Sequence, residues 1–517
     1  MSNSHWLTTL LVVPLIGAVV VALLPKARPL LAKQVALLFS VATFALTLVV
    51  ALKFDNSVSG FQFTEKYSWI SSFGVSYGLG IDGIALVLIA LAAILVPIVM
   101  ISGWNDADES RGSVNGYFAL MLVLETMMIG VFAATDVFLF YVFFEAMLVP
   151  MYFLIGRYGG PQRSYAAVKF LLYSLLGGLL MLVALIALYV LSVKQLGTGT
   201  FDFTVLTTKL HIDAGTQKLL FLGFFTAFAV KAPMWPVHTW LPDAAAEATP
   251  ASAVLLVGVL DKVGTFGMLR YCLPLFPAAS HYFTPAILVL SLIGIVYGAL
   301  LAIGQADIKR LIAYTSISHF GFIVLGIFAM TSQGQAGATL YMVNHGFSTG
   351  ALFIVAGFLI SRRGSRLVSD YGGVQKVAPI LAGTFLVAGL SSLALPGLSS
   401  FISEFLVLIG TFTRYRAAGV VATVGIVLAA IYILYLYQRT MTGPVREGIE
   451  GLKDLNKREI AAVAPLLALI ILLGVFPQIA LRSIDPAVTQ TLTTVGVTDP
   501  PPTVAVASVK NVGGTGQ

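Results

Sequence analysis

Ionisable side chains stand inside long apolar stretches of this sequence, where they could take up and release protons. Lys231 ends one apolar run and is followed by Pro233 and Pro236 in VKAPMWPVHTWLPDAAAEATP. A charge inside a bilayer costs about 3 kcal/mol even on the mildest scales, and each proline removes a backbone donor from a helix. Broken helices are tolerated at membrane depth only where they are buried in protein or line a wet cavity. We therefore predict that Lys231 lies at a functional break in a helix, on an ion path.

Glu145 stands alone among apolar residues in FLFYVFFEAMLVPMYFLIG. An isolated buried carboxylate needs a cationic partner or is held neutral, and a structural acid bonded to a backbone or hydroxyl group is the alternative. We interpret Glu145 as the partner of Lys231. Desolvation favours the neutral lysine and a nearby carboxylate favours the charged one, so withdrawal of Glu145 would push Lys231 toward proton release.

Three more buried groups extend this set. Lys262 follows Asp261 in LVGVLDKVGTFGMLR, and adjacent residues on a helix point about 100° apart, so they neutralise each other poorly. His319 (TSISHFGF) and His345 (YMVNHGFSTGALF) fall in consecutive apolar stretches. A structural, hydrogen-bonded histidine is the alternative, but histidine titrates near neutrality and suits a proton relay. We predict that Lys262, His319 and His345 lie on the path.

A second break, Leu395-Pro396-Gly397, precedes an isolated acid, Glu404, in PGLSSFISEFLVLIG. We place Glu404 on the same path. Secondary candidates are Asp261, Glu125 in LMLVLETMMIG, Asp136 at the start of the next apolar stretch, and His238 at the end of the first break.

The composition indicates which elements must position these groups. Of the 517 residues, 58% are hydrophobic and 10% are charged, whereas soluble domains carry about 25% charged residues. Apolar windows of about 20 residues predict an all-α polytopic membrane protein with about fourteen transmembrane helices. The predicted spans are 7–24, 33–52, 83–102, 116–134, 137–157, 165–193, 217–240, 247–272, 283–303, 307–330, 336–361, 377–413, 418–440 and 460–481.

The two breaks fall at equivalent places in two groups of five spans. Each is the fourth member of its group, and an odd number of crossings inverts the second group relative to the first, as in transporter repeats. The predicted segments are a three-helix segment (1–115), a first repeat broken near 231–236 (116–275), an inverted repeat broken near 395–397 (276–441), a C-terminal helix (442–484) and a disordered tail (485–517).

Basic residues concentrate in one set of alternate connections, which includes Arg157, Lys309 and Arg362. The positive-inside bias places that set in the cytoplasm and both termini outside. The net charge of +7 is explained by these loops, without a nucleic-acid partner. Gly78, Gly80 and Gly83 form a GxGxxG. Nucleotide binding requires a preceding strand and a βαβ context, whereas this match opens an apolar membrane span, so we do not expect a nucleotide site.

Cys272 is the single cysteine, which excludes an internal disulfide and a cysteine-ligated cluster within the chain. The histidines and acids show no metal-ligand spacing. We therefore expect no cofactor and no metal in this chain.

Six strings are shared with a known family: LGIDGIAL (79–86), FFEAMLVPMYFLIG (143–156), VKAPMWPVHTWLPDA (230–244), LDKVGTFGMLR (260–270), DIKRLIAYTSISHFGF (307–322) and LPGLSSFISEFLVL (395–408). Over about residues 75–480 the chain resembles the antiporter-like membrane subunits of respiratory complex I, which are related to multisubunit cation/proton antiporters. Glu404 stands where the sister subunits tend to have lysine, and Thr349 stands where one type of sister subunit carries lysine. Within the resemblance, these two differences favour one particular subunit type. Many relatives carry histidine where this chain has Ala245, so we assign no role in proton transfer to that position.

The resemblance implies a non-redox, proton-translocating subunit of NADH:quinone oxidoreductase. It implies a Glu145–Lys231 ion pair, Lys262 as central relay, His319 and His345 as polar connectors and Glu404 at the exit. Flavin (FMN), iron–sulfur clusters and quinone would reside in other subunits. The expected partners are other membrane-arm subunits, two sister antiporter-like subunits on either side and lipids, in a bacterial inner membrane. Alternatives are a subunit of a multisubunit Na⁺/H⁺ antiporter, the proton-transfer arm of a membrane-bound hydrogenase-type complex, and a structural scaffold.

Overall fold

The computed structural model describes residues 5–107 and 112–501, which fold mostly into helices. Twelve helical segments in those ranges are long and apolar enough to cross a membrane. Two further crossings each consist of two shorter helices on either side of a break. The prediction of an all-α polytopic membrane protein with about fourteen crossings, two of them broken, is confirmed.

The N-terminal segment combines three crossings with a β-hairpin. Its elements are α1 (Trp6–Leu23), α2 (Pro29–Lys53), β1 (Gln62–Ile70), a 3₁₀ turn (Ser71–Phe73), β2 (Val75–Ile81) and α3 (Gly83–Ser102). The strands pair antiparallel, with Tyr67 opposite Tyr77. The hairpin is absent from the sequence-based prediction because hydropathy windows register only long apolar runs.

The GxGxxG glycines lie in β2 and at the start of α3. The strand β2 precedes the last glycine, but it belongs to an antiparallel hairpin and not to a βαβ unit. A methyl group on Gly83 would lie 1.6 Å from the carbonyl oxygen of Ser483, and one on Gly78 would lie 2.9 Å from Oγ1 of Thr135. Close packing therefore accounts for these glycines.

The first group of five crossings runs from α4 to α13. Its helices are α4 (Val114–Ala133), α5 (Val137–Ala146), α6 (Leu148–Tyr158), α7 (Arg163–Leu196), α8 (Phe203–Lys209), α9 (Ala214–Lys231), α10 (Trp240–Glu247), α11 (Pro250–Leu255), α12 (Lys262–Gly267) and α13 (Leu273–Leu275). Helices α9 and α10 form the broken crossing. Two π-helical turns, Leu256–Leu260 and Met268–Cys272, join α11, α12 and α13 into one crossing.

The second group runs from α14 to α20. Its helices are α14 (Pro277–Ile303), α15 (Ile308–Phe328), α16 (Ser332–Arg363), a 3₁₀ turn (Val368–Asp370), α17 (Val374–Val377), α18 (Pro379–Ser392), α19 (Ser399–Arg414) and α20 (Arg416–Met441). The second break separates α18 from α19. Ala394 (φ 60°) and Gly397 (φ 91°) adopt left-handed backbone there, which ends the helix on either side of Pro396. Each broken crossing is the fourth of its group.

The C-terminal segment contains α21 (Lys457–Val475) and α22 (Gln478–Val495). The predicted disordered tail from residue 485 is therefore wrong up to Val495, while 502–517 lie outside the described residues. Ile484, Val488 and Leu492 are buried, so one face of α22 packs on the protein even though its composition is polar. The segment boundary between 484 and 485 thus falls inside a helix.

The other predicted segment boundaries lie close to helix ends. Residues 275 and 441 end α13 and α20, respectively, whereas the boundary after residue 115 falls inside α4, which begins at Val114. In the centre of the molecule, α11–α13, α15 and α16 are buried nearly all round. In contrast, α1, α2, α7, α20 and α21 each expose an apolar face. The central helices are those that carry Lys262, His319 and His345.

Candidate functional site

Lys231 is the last residue of α9, directly before the first break. Its side chain is fully buried, and Nζ has no hydrogen-bond partner within the described part of the chain. Nζ lies 5.0 Å from the centre of the Phe144 ring and 5.7 Å from that of Phe170, so aromatic faces surround the lysine. The indole Nε1 of Trp240 donates to the carbonyl oxygen of Val230 at 2.9 Å and satisfies a backbone group that the break leaves free.

Charged side chains fix α10, the half-helix that follows the break. Asp243 accepts hydrogen bonds from Nζ of Lys169 and from Nη1 of Arg310, each at 2.7 Å. Lys169 belongs to the first group of crossings and Arg310 to the second. The predicted break near 231–236 is therefore held between both groups. Ala245, in the middle of α10, is buried.

Glu145 lies near the end of α5, next to Phe144, and is half-buried. Two adjacent glycines of α7 make room for the Glu145–Lys231 region. A methyl group on Gly178 would lie 1.6 Å from Oε1 of Glu145, and one on Gly177 would lie 3.0 Å from Cα of Ala227 in α9. Among the described residues, Glu145 and Lys231 form no ion pair within 4.0 Å. Because the ring of Phe144, the residue before Glu145, lies beside Nζ of Lys231, the structure brings Glu145 and Lys231 close together without direct contact.

Lys262 begins α12, immediately after a π-helical turn. Such single-turn irregularities are frequent at functional sites. Nζ of this fully buried lysine donates to the carbonyl oxygen of Val257 and lies 2.7 Å from Nδ1 of His345. The first group of crossings is thus joined to α16 of the second by a lysine–histidine contact.

The two histidines and Glu404 extend that contact into a chain of buried neighbours. The ring centres of His345 and His319 are 5.2 Å apart, and those of His319 and Tyr341 are 5.8 Å apart. The Tyr341 hydroxyl donates to Oε2 of Glu404 at 3.1 Å. Lys262, His345, His319 and Glu404, all predicted from the sequence, therefore lie along one buried line.

Two tyrosines of this line were missed by the sequence analysis. Tyr341 separates His319 from Glu404, and the hydroxyl of Tyr432 lies 3.2 Å from Nε2 of His319. Both are buried. The signal that could have found Tyr341 is its spacing from His345, four residues or one helical turn, which places both on one face of α16.

The sequence analysis also missed a row of polar contacts along the second break. Nδ2 of Asn344 donates to the carbonyl oxygen of Ser399 at 2.7 Å. The hydroxyl of Ser348 lies 2.7 Å from that of Ser391 and 3.0 Å from that of Ser400. These contacts tie α16 to both halves of the broken crossing. Thr349, next to Ser348, is buried, and its hydroxyl has no partner within residues 5–107 and 112–501.

The secondary candidates differ in their surroundings. Asp136 caps α5, accepting from Phe138 and Leu139, and also accepts from Ser76 of the hairpin, which is a structural arrangement. Glu125 and His238 are buried with no hydrogen-bond partner in the described ranges. The described contacts do not join Glu125 to the line from Lys262 to Glu404.

Asp261 is also buried, next to Lys262. Within residues 5–107 and 112–501, no group of three or more His, Cys, Asp or Glu side chains could hold a metal ion.

Comparison with known proteins identifies the family to which this chain belongs. A family model described as "NADH:quinone oxidoreductase/Mrp antiporter, TM" matches residues 134–429, more than half of the chain. That region contains both breaks, Lys231 and the whole line from Lys262 to Glu404. The chain belongs to this family. The resemblance to antiporter-like complex I subunits predicted from six sequence strings is thereby confirmed.

Individual members of the family match over nearly the full length. NADH-quinone oxidoreductase subunit M of Mycobacterium tuberculosis is 55% identical, covering 98% of this chain and 97% of its own. A chain of respiratory complex I from Thermus thermophilus has a TM-score of 0.86 and 30% identity, covering 95% of this chain and 100% of that one. A chain of the Mrp complex from Dietzia has a TM-score of 0.84 and 21% identity, covering 96% and 100%, a likeness of fold. The protein is an antiporter-like, multi-pass membrane subunit.

Proposed function

We propose that this chain is a proton-translocating membrane-arm subunit, of the subunit M type, of a respiratory NADH:quinone oxidoreductase. The observation that carries the proposal is the buried line from Lys262 through His345, His319 and Tyr341 to Glu404. Its members are proton donors and acceptors in the centre of a membrane protein, where such groups mark ion pathways. Similarity to subunit M of Mycobacterium tuberculosis supports the assignment to this complex.

The pathway begins at the first break and ends at the second. When Glu145 approaches, Lys231 is stabilised as an ammonium ion, and when it withdraws, the desolvated lysine releases its proton. The proton continues through Lys262 and the histidine pair to Glu404, which delivers it to the opposite side. Moving one charge across 100 mV requires about 2.3 kcal/mol, which is comparable to the effect of one nearby carboxylate on a buried lysine.

Redox chemistry is assigned to other subunits. In this proposal the chain carries no cofactor-bearing active site, and FMN, iron–sulfur clusters and quinone belong to its partners. Two sister antiporter-like subunits lie on either side of it in the membrane arm. The membrane is the bacterial inner membrane, and the basic connections that include Arg157 and Arg362 face the cytoplasm, with both termini outside.

A Na⁺/H⁺ antiporter subunit is the second candidate, favoured by the likeness of fold to the Mrp complex chain from Dietzia. A proton-transfer arm of a hydrogenase-type complex is a third. Purification of the chain with its native partners distinguishes them. Co-purifying FMN, iron–sulfur clusters and NADH-dependent quinone reduction support the first proposal, whereas an assembly without redox centres supports the antiporter.

The function is tested by Lys231→Ala in the assembled complex. We expect NADH-driven proton uptake into vesicles to fall by at least about tenfold, because proton transfer by a positioned side chain contributes roughly 10²–10⁴-fold to a rate. Lys209→Ala, at the exposed end of α8, is the control and should leave uptake unchanged. Normal assembly with normal proton uptake in Lys231→Ala would make the chain a scaffold and contradict the proposal.

A further inference from the structure

Asp261 is a fully buried carboxylate between the two buried lysines of the pathway. It directly precedes Lys262 in the chain and interacts electrostatically with both Lys262 and Lys231. Its exposed fraction is 0%. Neither of its oxygens has a hydrogen-bond partner within the described residues. The pathway described above leaves Asp261 without a role.

The side chains of the two neighbours Asp261 and Lys262 face different sides of their crossing. Nζ of Lys262 is directed to the carbonyl of Val257 and to His345 of α16. Adjacent residues on a helix point about 100° apart, so Asp261 faces elsewhere. Gly264 follows Asp261 by three residues and therefore lies on the same face of the helix. A methyl group on Gly264 would lie 2.5 Å from the carbonyl oxygen of Phe228 and 2.6 Å from the amide nitrogen of Ala232, at the end of α9.

Phe228 and Ala232 lie on either side of Lys231 in the chain. Asp261 therefore lies on the face of its crossing that packs against the end of α9, and Lys262 lies on the face that meets α16. Of this adjacent pair, Asp261 is therefore the side chain on the Lys231 side of the crossing, and Lys262 is the side chain on the α16 side.

A purely structural role does not account for Asp261. Structural buried acids are held by hydrogen bonds, as Asp136 is by three backbone amides, because an unpaired buried polar group costs free energy. Asp261 has no such bonds and, in the described ranges, no lysine or arginine nitrogen within 4.0 Å. No described group therefore holds the Asp261 carboxylate in place.

Resting on the function proposed above, we propose that Asp261 carries the proton from Lys231 to Lys262. In the first step an N–H bond of the Lys231 ammonium breaks and an O–H bond forms on the Asp261 carboxylate, which leaves an amine and a carboxylic acid. In the second step that O–H bond breaks and an N–H bond forms on the Lys262 amine, which leaves the carboxylate and an ammonium ion.

The three groups have a net charge of zero at every stage of this transfer. The intermediate, with two amines and a carboxylic acid, contains no ion at all. A low-dielectric interior favours such a state over a transfer that passes a bare charge between two lysines. Because each nitrogen–oxygen separation exceeds 4.0 Å, each step needs a bridging water or a rotation of the Asp261 side chain.

The test uses the full complex with Asp261→Asn, which keeps the size of the side chain and removes the titrating carboxyl. We expect the rate of NADH-driven proton uptake to fall by at least about tenfold with assembly retained. Asp213→Asn is the matched control. Asp213 is an exposed residue that caps α9, and asparagine caps a helix equally well. Uptake at the parent level in Asp261→Asn would overturn the inference.

Lys231→Ala and Lys262→Ala, measured in the same vesicles, separate the two proposals. If both lysine variants lose uptake while Asp261→Asn retains it, Asp261 is no carrier and the proposed function stands. If the lysine variants also pump normally, the proposed function fails.

Should Asp261→Asn not assemble, Asp261→Glu decides the question. A displaced carrier slows uptake and increases the ratio of the rates in H₂O and D₂O. A carboxylate with only a structural role leaves that ratio unchanged, which would refute the inference.

Discussion

Nζ of Lys262 lies 2.7 Å from Nδ1 of His345, and this contact joins the two five-crossing groups at the centre of the molecule. The ammonium form of lysine can only donate, so Nδ1 accepts while Lys262 is charged. Nε2 of His345 has no partner among the described residues, and the ring of His319 lies 5.2 Å away, centre to centre. A proton received at one ring nitrogen can therefore be released from the other toward His319.

We expect His345→Phe to interrupt transfer between Lys262 and His319. Phenylalanine keeps an aromatic ring beside Phe320, with which His345 packs edge to face at 5.4 Å, but it offers no acceptor to Lys262. The rate of NADH-driven proton uptake should fall by at least about tenfold, measured with a pH-sensitive dye in vesicles. His281→Phe, at an exposed position of α14, should have no effect. Full uptake by His345→Phe would remove the histidine from the pathway.

Tyr341→Phe tests the step between His319 and Glu404. The substitution preserves the ring that packs near His319 and deletes the hydroxyl that donates to Glu404. Loss of one hydrogen bond to a buried carboxyl costs about 1–3 kcal/mol, so the complex should assemble, whereas uptake should slow. The matched control is Tyr282→Phe, since Tyr282 is an exposed tyrosine. Equal proton uptake in both variants would contradict a role for the Tyr341 hydroxyl.

The residues predicted from the sequence share one property: each is an ionisable group in an apolar run. That anomaly revealed Lys231, Lys262 and Glu404, because a charged side chain at membrane depth costs free energy and commonly marks an ion pathway. Tyr341 and Tyr432 gave no such signal, since the chain contains 19 tyrosines and a buried tyrosine is ordinary. Their role depends on which helices are neighbours, and that is a property of the fold.

The fold could be predicted where hydropathy dominates. The crossings and both breaks follow from apolar runs and from the prolines near residues 233 and 396. In contrast, the hairpin Gln62–Ile81 and helix α22 were missed. Both contain many polar residues, and their helical or strand structure depends on packing against the membrane-spanning helices.

The packing of α22 can be tested at Gly83. A methyl group there would lie 1.6 Å from the carbonyl oxygen of Ser483, a backbone atom of α22 that cannot rotate away. We expect Gly83→Ala to loosen α22 and to make the chain after residue 478 susceptible to limited proteolysis, with a lower melting temperature. Gly60→Ala is the control, because no atom lies within 4 Å of a methyl group at that position. Identical proteolysis of both variants would show that α22 does not depend on this contact.

Gly178→Ala tests the Glu145–Lys231 switch without changing any ionisable group. The added methyl group would lie 1.6 Å from Oε1 of Glu145 and 2.5 Å from its Cδ. A flexible glutamate can move, so the expected result is a displaced carboxylate in an assembled complex.

If the position of the Glu145 charge controls Lys231, proton uptake should fall in Gly178→Ala, though less than in Glu145→Gln, because the charge is moved and not lost. Gly383→Ala in α18, where a methyl group meets no atom within 4 Å, controls for the helix-stabilising effect of alanine. If Gly178→Ala pumps like Gly383→Ala while Glu145→Gln does not, the carboxylate acts through its charge alone and its placement beside α7 is irrelevant. If Glu145→Gln also pumps normally, the acid has a structural role and Lys231 is controlled by another group.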